Sequence, residues 1–305
     1  MSDAARRTRF EAVDGILLLD KPEGLSSNAA LQRVRRALAA EKGGHTGSLD
    51  PLATGLLPIC LGRATRVSGL LLDADKRYEA VVRLGSRTRT GDREGEVVAQ
   101  SDPAGLDQDR LRAALPGLTG PQRQIPPMYS ALKREGQPLY ALARAGQEVE
   151  REARAIVIHA LELRDWSPPC FTLAVRCSKG TYIRTLAEDL AGRVGQCAHL
   201  QALRRTGLGG FDLSQAVTLD EVEVLGPAAR ARLLPVSAAL SHWNQLVVDA
   251  DGARRLAAGQ AIGSTGPAGA VLVLDAAGQA LGLAERDGEG RLQPRRWGLS
   301  AAAAP

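Results

Sequence analysis

Residues 43–55 read GGHTGSLDPLATG, and an apolar stretch follows them to Leu72. Upstream, GILLLD (15–20) is a short apolar run that reads as a buried strand ended by Lys21-Pro22. Ser26, Ser27 and Asn28 then offer N-caps for a helix running to about Glu41. Its apolar stripe is Leu31, Val34 and Leu38, and Gly43-Gly44 end it. Within the glycine-rich stretch, Asp50-Pro51 has two readings. Asp can cap a helix and Pro suits its first turn, with the glycines as turn punctuation. Alternatively, the glycines let a substrate approach the backbone while a rigid loop presents the carboxylate. A carboxylate at a helix N-terminus would stay ionised, as a nucleophile must. His45 either stacks on a base or packs in the turn.

Downstream the period changes to two. Tyr78, Ala80, Val82 and Leu84 alternate with Glu79, Val81 and Arg83, which predicts a strand. Residues 86–95 read as a loop and 106–118 as helical. Residues 121–152 are rich in Pro, Arg and Gln, with a helical patch near Leu139 to Ala145, and read as an excursion from the core. Strands are expected over 155–164 and 171–178. Gly180 then turns the chain into a helix with the stripe Ile183, Leu186, Leu190 and Val194. Composition shifts near 226–245. VLVLD (271–275) and ALGLAE (280–285) follow, as strands of a small β-rich module of about 60 residues. Residues 1–13 are expected to be a flexible polar tail, and the Ala-rich end (301–304) disordered.

A chain of 305 residues suggests about two domains. The hydrophobic fraction of 44% and charged fraction of 24% fit a soluble globular protein. Aromatics are only 3%, so the core must be built from Leu, Val, Ile and Ala, and each ring is worth reading singly. The net charge of +5 favours a polyanionic partner. Only five lysines occur (Lys21, Lys42, Lys76, Lys133 and Lys179), so the other basic residues are all Arg. Positions that keep Lys against that drift are candidates for needing a compact charge. The four cysteines form no CxxC motif or Cys/His cluster, which points to a reduced, cytoplasmic protein. No apolar run approaches the roughly 20 residues of a membrane span, and MSDAARRTRF lacks a signal-peptide core.

Three further segments carry candidate chemistry. In DKRYEA (75–80), Tyr78 is a core tyrosine or a stacking platform for a nucleobase, and Lys76 and Arg77 could neutralise phosphates. CSKGTYIRT (177–185) predicts a strand, a glycine turn and a helix start that gather backbone N–H groups, Lys179 and Arg184. Arg184 either pairs with Glu188 at i+4 or holds a catalytic carboxylate ionised and in one orientation. In 125–152, Tyr129, Lys133, Arg134, Tyr140 and Arg144 mix bases and rings as an RNA clamp would, or form a charged insertion without a partner. His45, His159, His199 and His242 share no ligand spacing. There is no P-loop, no GxGxxG after a strand and no Ser-His-Asp signature.

Taken in order, GILLLDKPEGLSSN (15–28), GHTGSLDPLATGLLPICLGRATR (44–66), DKRYEA (75–80), IPPMYSALK (125–133), CSKGTYIRTLAEDL (177–190) and AHLQALRRT (198–206) resemble the bacterial tRNA pseudouridine synthase B family. The tail, including LQPRRW (292–297), resembles that family's PUA-type module. The resemblance implies an α/β fold with a central mixed or antiparallel sheet flanked by helices. It implies a catalytic domain over 14–243 with an RNA-gripping insertion at 122–152, and a PUA-like RNA-binding domain over 244–305. By the same resemblance Asp50 is the nucleophile, Tyr78 stacks on the target uracil and Arg184 pairs with the aspartate. Tyr182, His45 and Leu203 contact substrate, and Lys21, Lys76, Lys133, Arg134 and Lys179 lie along the RNA backbone. The implied activity is isomerisation of uridine 55 in the tRNA T loop, with base flipping and with no cofactor or metal. A monomer needing neither guide RNA nor protein partner is expected. A non-catalytic RNA-binding or tRNA-folding factor, and a pseudouridine synthase acting on other RNA, including a guided ribonucleoprotein subunit, are the competing readings.

Overall fold

The computed structural model describes residues 9–241 and 243–300. The expected tail falls outside these residues up to position 8, and so does the Ala-rich end at 301–304. Residues 9–13 are tied down rather than frayed. Glu11 N donates to Ala39 O at 2.7 Å, Glu41 N donates to Glu11 O at 2.9 Å, and Val13 is buried. The chain forms two compact units. One comprises Met1–Asp50, Leu56–Leu72 and Gly210–Pro305, and the other Pro51–Gly55 and Asp73–Gly209.

The first unit opens with β1 (Gly15–Lys21), buried almost throughout, which is why it reads as an apolar run without alternation. Helix α1 (Ser27–Ala37) is capped by Ser26, whose hydroxyl accepts from Ala29 N at 3.1 Å. Leu31, Val34 and Leu38 are buried as the stripe requires. The helix ends at Ala37, short of Glu41, because the chain is needed elsewhere. Ala39 takes a positive φ, and Gly43–His45 form β2. Instead of merely ending the helix, Gly43, Gly44 and His45 pair with Leu61, Cys60 and Ile59 of β3 (Thr54–Leu61). Helix α2 covers Ser68–Asp73.

The second unit is a sheet ordered β12-β4-β11-β10-β7, with every neighbouring pair antiparallel. Its strands are β4 (Lys76–Leu84), β7 (Gly120–Gln124), β10 (Arg154–Ser167), β11 (Cys170–Cys177) and β12 (Ala198–Leu208). The first two residues of β3 add a parallel pairing, Thr54 with Arg204 and Gly55 with Arg205, so the sheet is mixed. Helix α5 (Ile183–Arg193) buries Ile183, Leu186 and Leu190 as its spacing predicts. Helix α3 (Gln108–Ala114) is extended by a 3-10 turn to Leu118. The expected loop at 86–95 contains β5 (Ser86–Thr88), which pairs with β6 (Val97–Gln100). The insertion expected from 122 begins later. Residues 122–124 belong to β7 and pair with Arg154–Ile156, because the sheet needs them to extend β10. Beyond Gln124 the insertion holds the hairpin β8 (Lys133–Arg134) and β9 (Gln137–Pro138), then helix α4 (Leu139–Arg144).

The remainder of the first unit adds β13 (Phe211–Asp212) and β14 (Val217–Thr218), the latter parallel to β1 at Leu19 and Asp20. Thr218 and Glu221 form a capping box that starts helix α6 (Leu219–Leu225). A five-stranded sheet follows, ordered β15-β17-β18-β19-β16. It is built from β15 (Asn244–Val247), β16 (Ile262–Gly263), β17 (Gly269–Leu274), β18 (Ala280–Arg286) and β19 (Arg291–Trp297). Helix α7 (Ala250–Ala257) packs Leu256 into this module's own core with Val271, Val273 and Leu281.

Candidate active site

The Asp50 turn is held from α1. Ser27 is buried, and its hydroxyl donates to Leu49 O at 3.0 Å while accepting from Leu49 N at 2.7 Å. Both backbone groups of the residue before Asp50 are thereby fixed by one side chain. Asp50 itself is half-buried. No helix begins at Asp50-Pro51; the chain turns and enters β3 at Thr54. This corrects both the cap reading and the expectation that a helix N-terminus keeps the carboxylate ionised. Asp-Pro suits a turn as well as a helix start, and pairing of Thr54 and Gly55 with β12 draws the chain into a strand. His45, at the end of β2, is half-buried on the same glycine-rich segment.

Lys21 belongs to this support. It is fully buried, and its ammonium donates to Pro22 O at 2.8 Å and Leu25 O at 2.7 Å. It staples the turn that delivers Ser26 and Ser27 to the start of α1. The expected RNA-backbone role is corrected, because a phosphate contact needs a charge that solvent can reach.

In the second unit, Tyr78 stands on β4 opposite Val175 of β11 and Arg205 of β12. It shares a face with Lys76, Ala80, Val82 and Leu84, which are buried, yet Tyr78 is only half-buried. Leu203 is buried opposite Ala80. Arg205 is the largest fully buried side chain in this part of the molecule, at 1% exposure. The sequence reading assigned it no role, although its i+2 spacing from Leu203 placed it on the same buried face. Gly55 explains how β3 comes so close. Its φ is +98°, and a Cβ there would fall on the Arg205 backbone.

Lys76 is also buried and donates to Ala74 O at 2.6 Å. Burial, followed by the neighbouring Arg205 charge, pushes its ammonium down to about 8. Its expected phosphate contact is corrected on the same ground as that of Lys21. Lys179 differs: it is exposed and pairs with Asp73 at 2.8 Å. Lys133 and Arg134 are exposed on the insertion hairpin, and Arg134 donates to Glu150 O at 2.7 Å.

Arg184 is the second residue of α5 and is buried. It donates to Thr90 O at 2.6 Å and Tyr129 O at 2.7 Å, and lies 3.9 Å from the buried carboxylate of Asp92. A buried carboxylate, Asp92, thus lies within ion-pair distance of it in this unit, while Glu188, the i+4 residue, also interacts with its charge. Asp92 is fixed in turn, accepting from Thr90 Oγ1 at 2.6 Å and Glu94 N at 3.1 Å. A guanidinium at a helix N-terminus opposes the helix dipole and its burial costs several kcal/mol, so these acceptors are what hold it there. Asp92 lay in a segment read as a loop, and no local signal marked it. Arg184 lines a cavity of about 570 Å³ with Thr90, Gly91, Met128 and Tyr129. Tyr182 precedes α5 as its N-cap and is half-buried.

Known proteins share this architecture. A crystal structure of a Cbf5-Nop10-Gar1 complex aligns with a TM-score of 0.72 at 22% identity, covering 96% of this chain and 87% of that chain. Residues 35–183 match the TruB family pseudouridylate synthase N-terminal domain. Residues 184–241 match the tRNA pseudouridylate synthase B C-terminal domain, and 245–297 the pseudouridine synthase II TruB C-terminal region. Fold and domain matches together define the class: this is a pseudouridine synthase. The tRNA pseudouridine synthase B of Pseudomonas aeruginosa is 52% identical over 292 residues, covering 93% of this chain and 96% of that protein. The enzyme of the same name from Aromatoleum aromaticum is 52% identical over 291 residues, covering 95% and 94%. The chain belongs to the TruB family of pseudouridylate synthases, as its motifs led us to expect.

Proposed function

We propose that this pseudouridine synthase acts on tRNA and converts uridine 55 of the T loop to pseudouridine. The substrate reading rests on the relatives named tRNA pseudouridine synthase B, which match along nearly the whole chain. The reaction is an isomerisation. The C1′–N1 bond breaks, the uracil turns, and C5 joins C1′; the C5 proton leaves and N1 gains one. No electron is gained or lost, so the conversion calls for no redox cofactor. Asp50 is the nucleophile or ion-pair stabiliser, and the Ser27 clamp on Leu49 is the observation that carries this assignment. A reacting carboxylate must be held in one place, because proximity and orientation supply much of the rate.

A stacked uracil must be flipped out at a cost of a few kcal/mol. Tyr78, half-exposed on an otherwise buried face, is suited to stack on it and return roughly 1–3 kcal/mol. Arg184 orients the aspartate, and Tyr182, His45 and Leu203 contact the substrate. Lys133, Arg134 and Lys179 meet the phosphates, and their exposure supports that role. The presence of the insertion favours a stand-alone enzyme that grips the T stem-loop without a guide RNA or protein partner, and a cytoplasmic monomer is part of the same reading. The module over 244–305 serves as a PUA-like second RNA contact beside the catalytic region at 14–243.

Incubation with an unmodified tRNA transcript, followed by pseudouridine mapping, tests the reading. Wild-type protein alone should modify position 55, and Asp50→Asn should bind the transcript but form no product. Product from the purified Asn variant, or wild-type product at another site, would overturn it.

A further inference from the structure

Gln124 is the last residue of β7 and is 5% exposed. Its side chain closes a pair of hydrogen bonds with a single residue. Tyr182 N donates to Oε1 at 2.8 Å, and Nε2 donates to Tyr182 O at 3.1 Å. Tyr182 is the N-cap of α5, a place where Ser, Thr, Asp or Asn usually fixes the helix start with its own side chain. Tyr182 makes no such side-chain cap, and Gln124 restrains both of its backbone groups from outside the helix. Arg184 follows two residues later.

The same strand end is the neck of the insertion. Gln124 pairs with Arg154, where the chain returns from the insertion to the sheet. Five residues beyond Gln124, Tyr129 O accepts from Arg184 Nη2 at 2.7 Å. The start of α5 is therefore joined to the insertion's neck twice, once through the backbone of its N-cap Tyr182 and once through the Arg184 guanidinium.

We propose that Gln124 is a positioning residue for pseudouridine formation, clamping the Tyr182 backbone so that Arg184 and the neck of the insertion keep one fixed geometry. The proposal rests on the reading of Arg184 as a site residue. An uncharged amide is required, since it donates to one backbone group while accepting from the other. Methionine fills the same volume and does neither. An ionised glutamate accepts from Tyr182 N–H but sets a second oxygen against the Tyr182 carbonyl. Protonated, it regains a donor. Burial raises a carboxyl's pKa, so this recovery should fall within an accessible range.

Single-turnover and steady-state rates on unmodified tRNA transcript would be measured for wild type, Gln124→Met, Gln124→Glu and Arg184→Lys. Gln124→Met should lower kcat by about 10- to 100-fold, as small misplacements do, with the KM for tRNA little changed. Gln124→Glu should be slow at about pH 8 and recover as pH falls toward about 5.5, a rise that wild type lacks. Wild-type kcat in Gln124→Met while Arg184→Lys is inactive would overturn the proposal alone. A pH profile for Gln124→Glu parallel to wild type would do the same, as would a Gln124→Met defect confined to KM. Full kcat in Arg184→Lys would remove the premise and the proposal with it.

Discussion

Replacing Ser27 by alanine removes one hydroxyl and leaves two backbone groups without their partner. The Oγ donates to Leu49 O at 3.0 Å and accepts from Leu49 N at 2.7 Å, and Ser27 is only 4% exposed. Each buried group left unsatisfied costs about 1–3 kcal/mol, and local relaxation recovers part of it, so a loss of about 2–4 kcal/mol is expected. Ser26→Ala is the matched control. It removes the α1 cap, a loss of about 1 kcal/mol, and touches nothing at Leu49. Chemical denaturation ranks the two variants by stability, and kcat on tRNA transcript separates them by mechanism. With Leu49 released, Asp50 loses its fixed approach, and kcat should fall by about 100-fold in Ser27→Ala at a temperature where it remains folded. Ser26→Ala should keep its kcat. Equal kcat values in the two folded variants would refute the claim that the Ser27 clamp positions the aspartate turn.

Gly55→Ala should be the more damaging change to the fold, losing about 3 kcal/mol or more, since its Cβ meets the Arg205 backbone and its φ is +98°; denaturant midpoints check this. Lys76 holds its proton less tightly folded, at about 8, than unfolded, near 10.5. The unfolded chain therefore binds more protons between those values, and stability should rise with pH across that window. Lys76→Met should lack that rise, a difference reaching about 3 kcal/mol near pH 10.5, read from parallel pH-dependent unfolding curves. Lys133→Gln and Arg134→Gln should each reduce the slope of log affinity for tRNA against log salt by about 1, with filter binding as the measurement.

Much of the fold could be read from local pattern. The alternation from Tyr78 to Leu84 and the stripe Ile183, Leu186 and Leu190 report which side of an element is buried, because side-chain period follows backbone geometry. The ordered motifs likewise marked the family. The roles of individual charged groups were not readable in that way. Four lysines carried the same expected role in sequence, yet Lys21 and Lys76 are buried against backbone carbonyls while Lys133 and Lys179 face solvent. Burial of a long side chain depends on strands and turns distant in sequence, and the residue type carries no record of them. Asp50-Pro51 shows the same limit, since Asp-Pro serves a helix cap or a turn equally well. Pairing of Thr54 and Gly55 with Arg204 and Arg205, some 150 positions away, makes it a turn. Local pattern alone was enough for the long strands and helices, their buried faces and the family, but not for short β2 and β5, which exist only through pairing with β3 and β6. Only the tertiary structure decided that Ser27 holds the aspartate turn, that Asp92 partners Arg184 and that Gln124 clamps Tyr182. Each of those contacts joins residues separated by 22 to 92 positions in the chain, a distance over which no local periodicity acts.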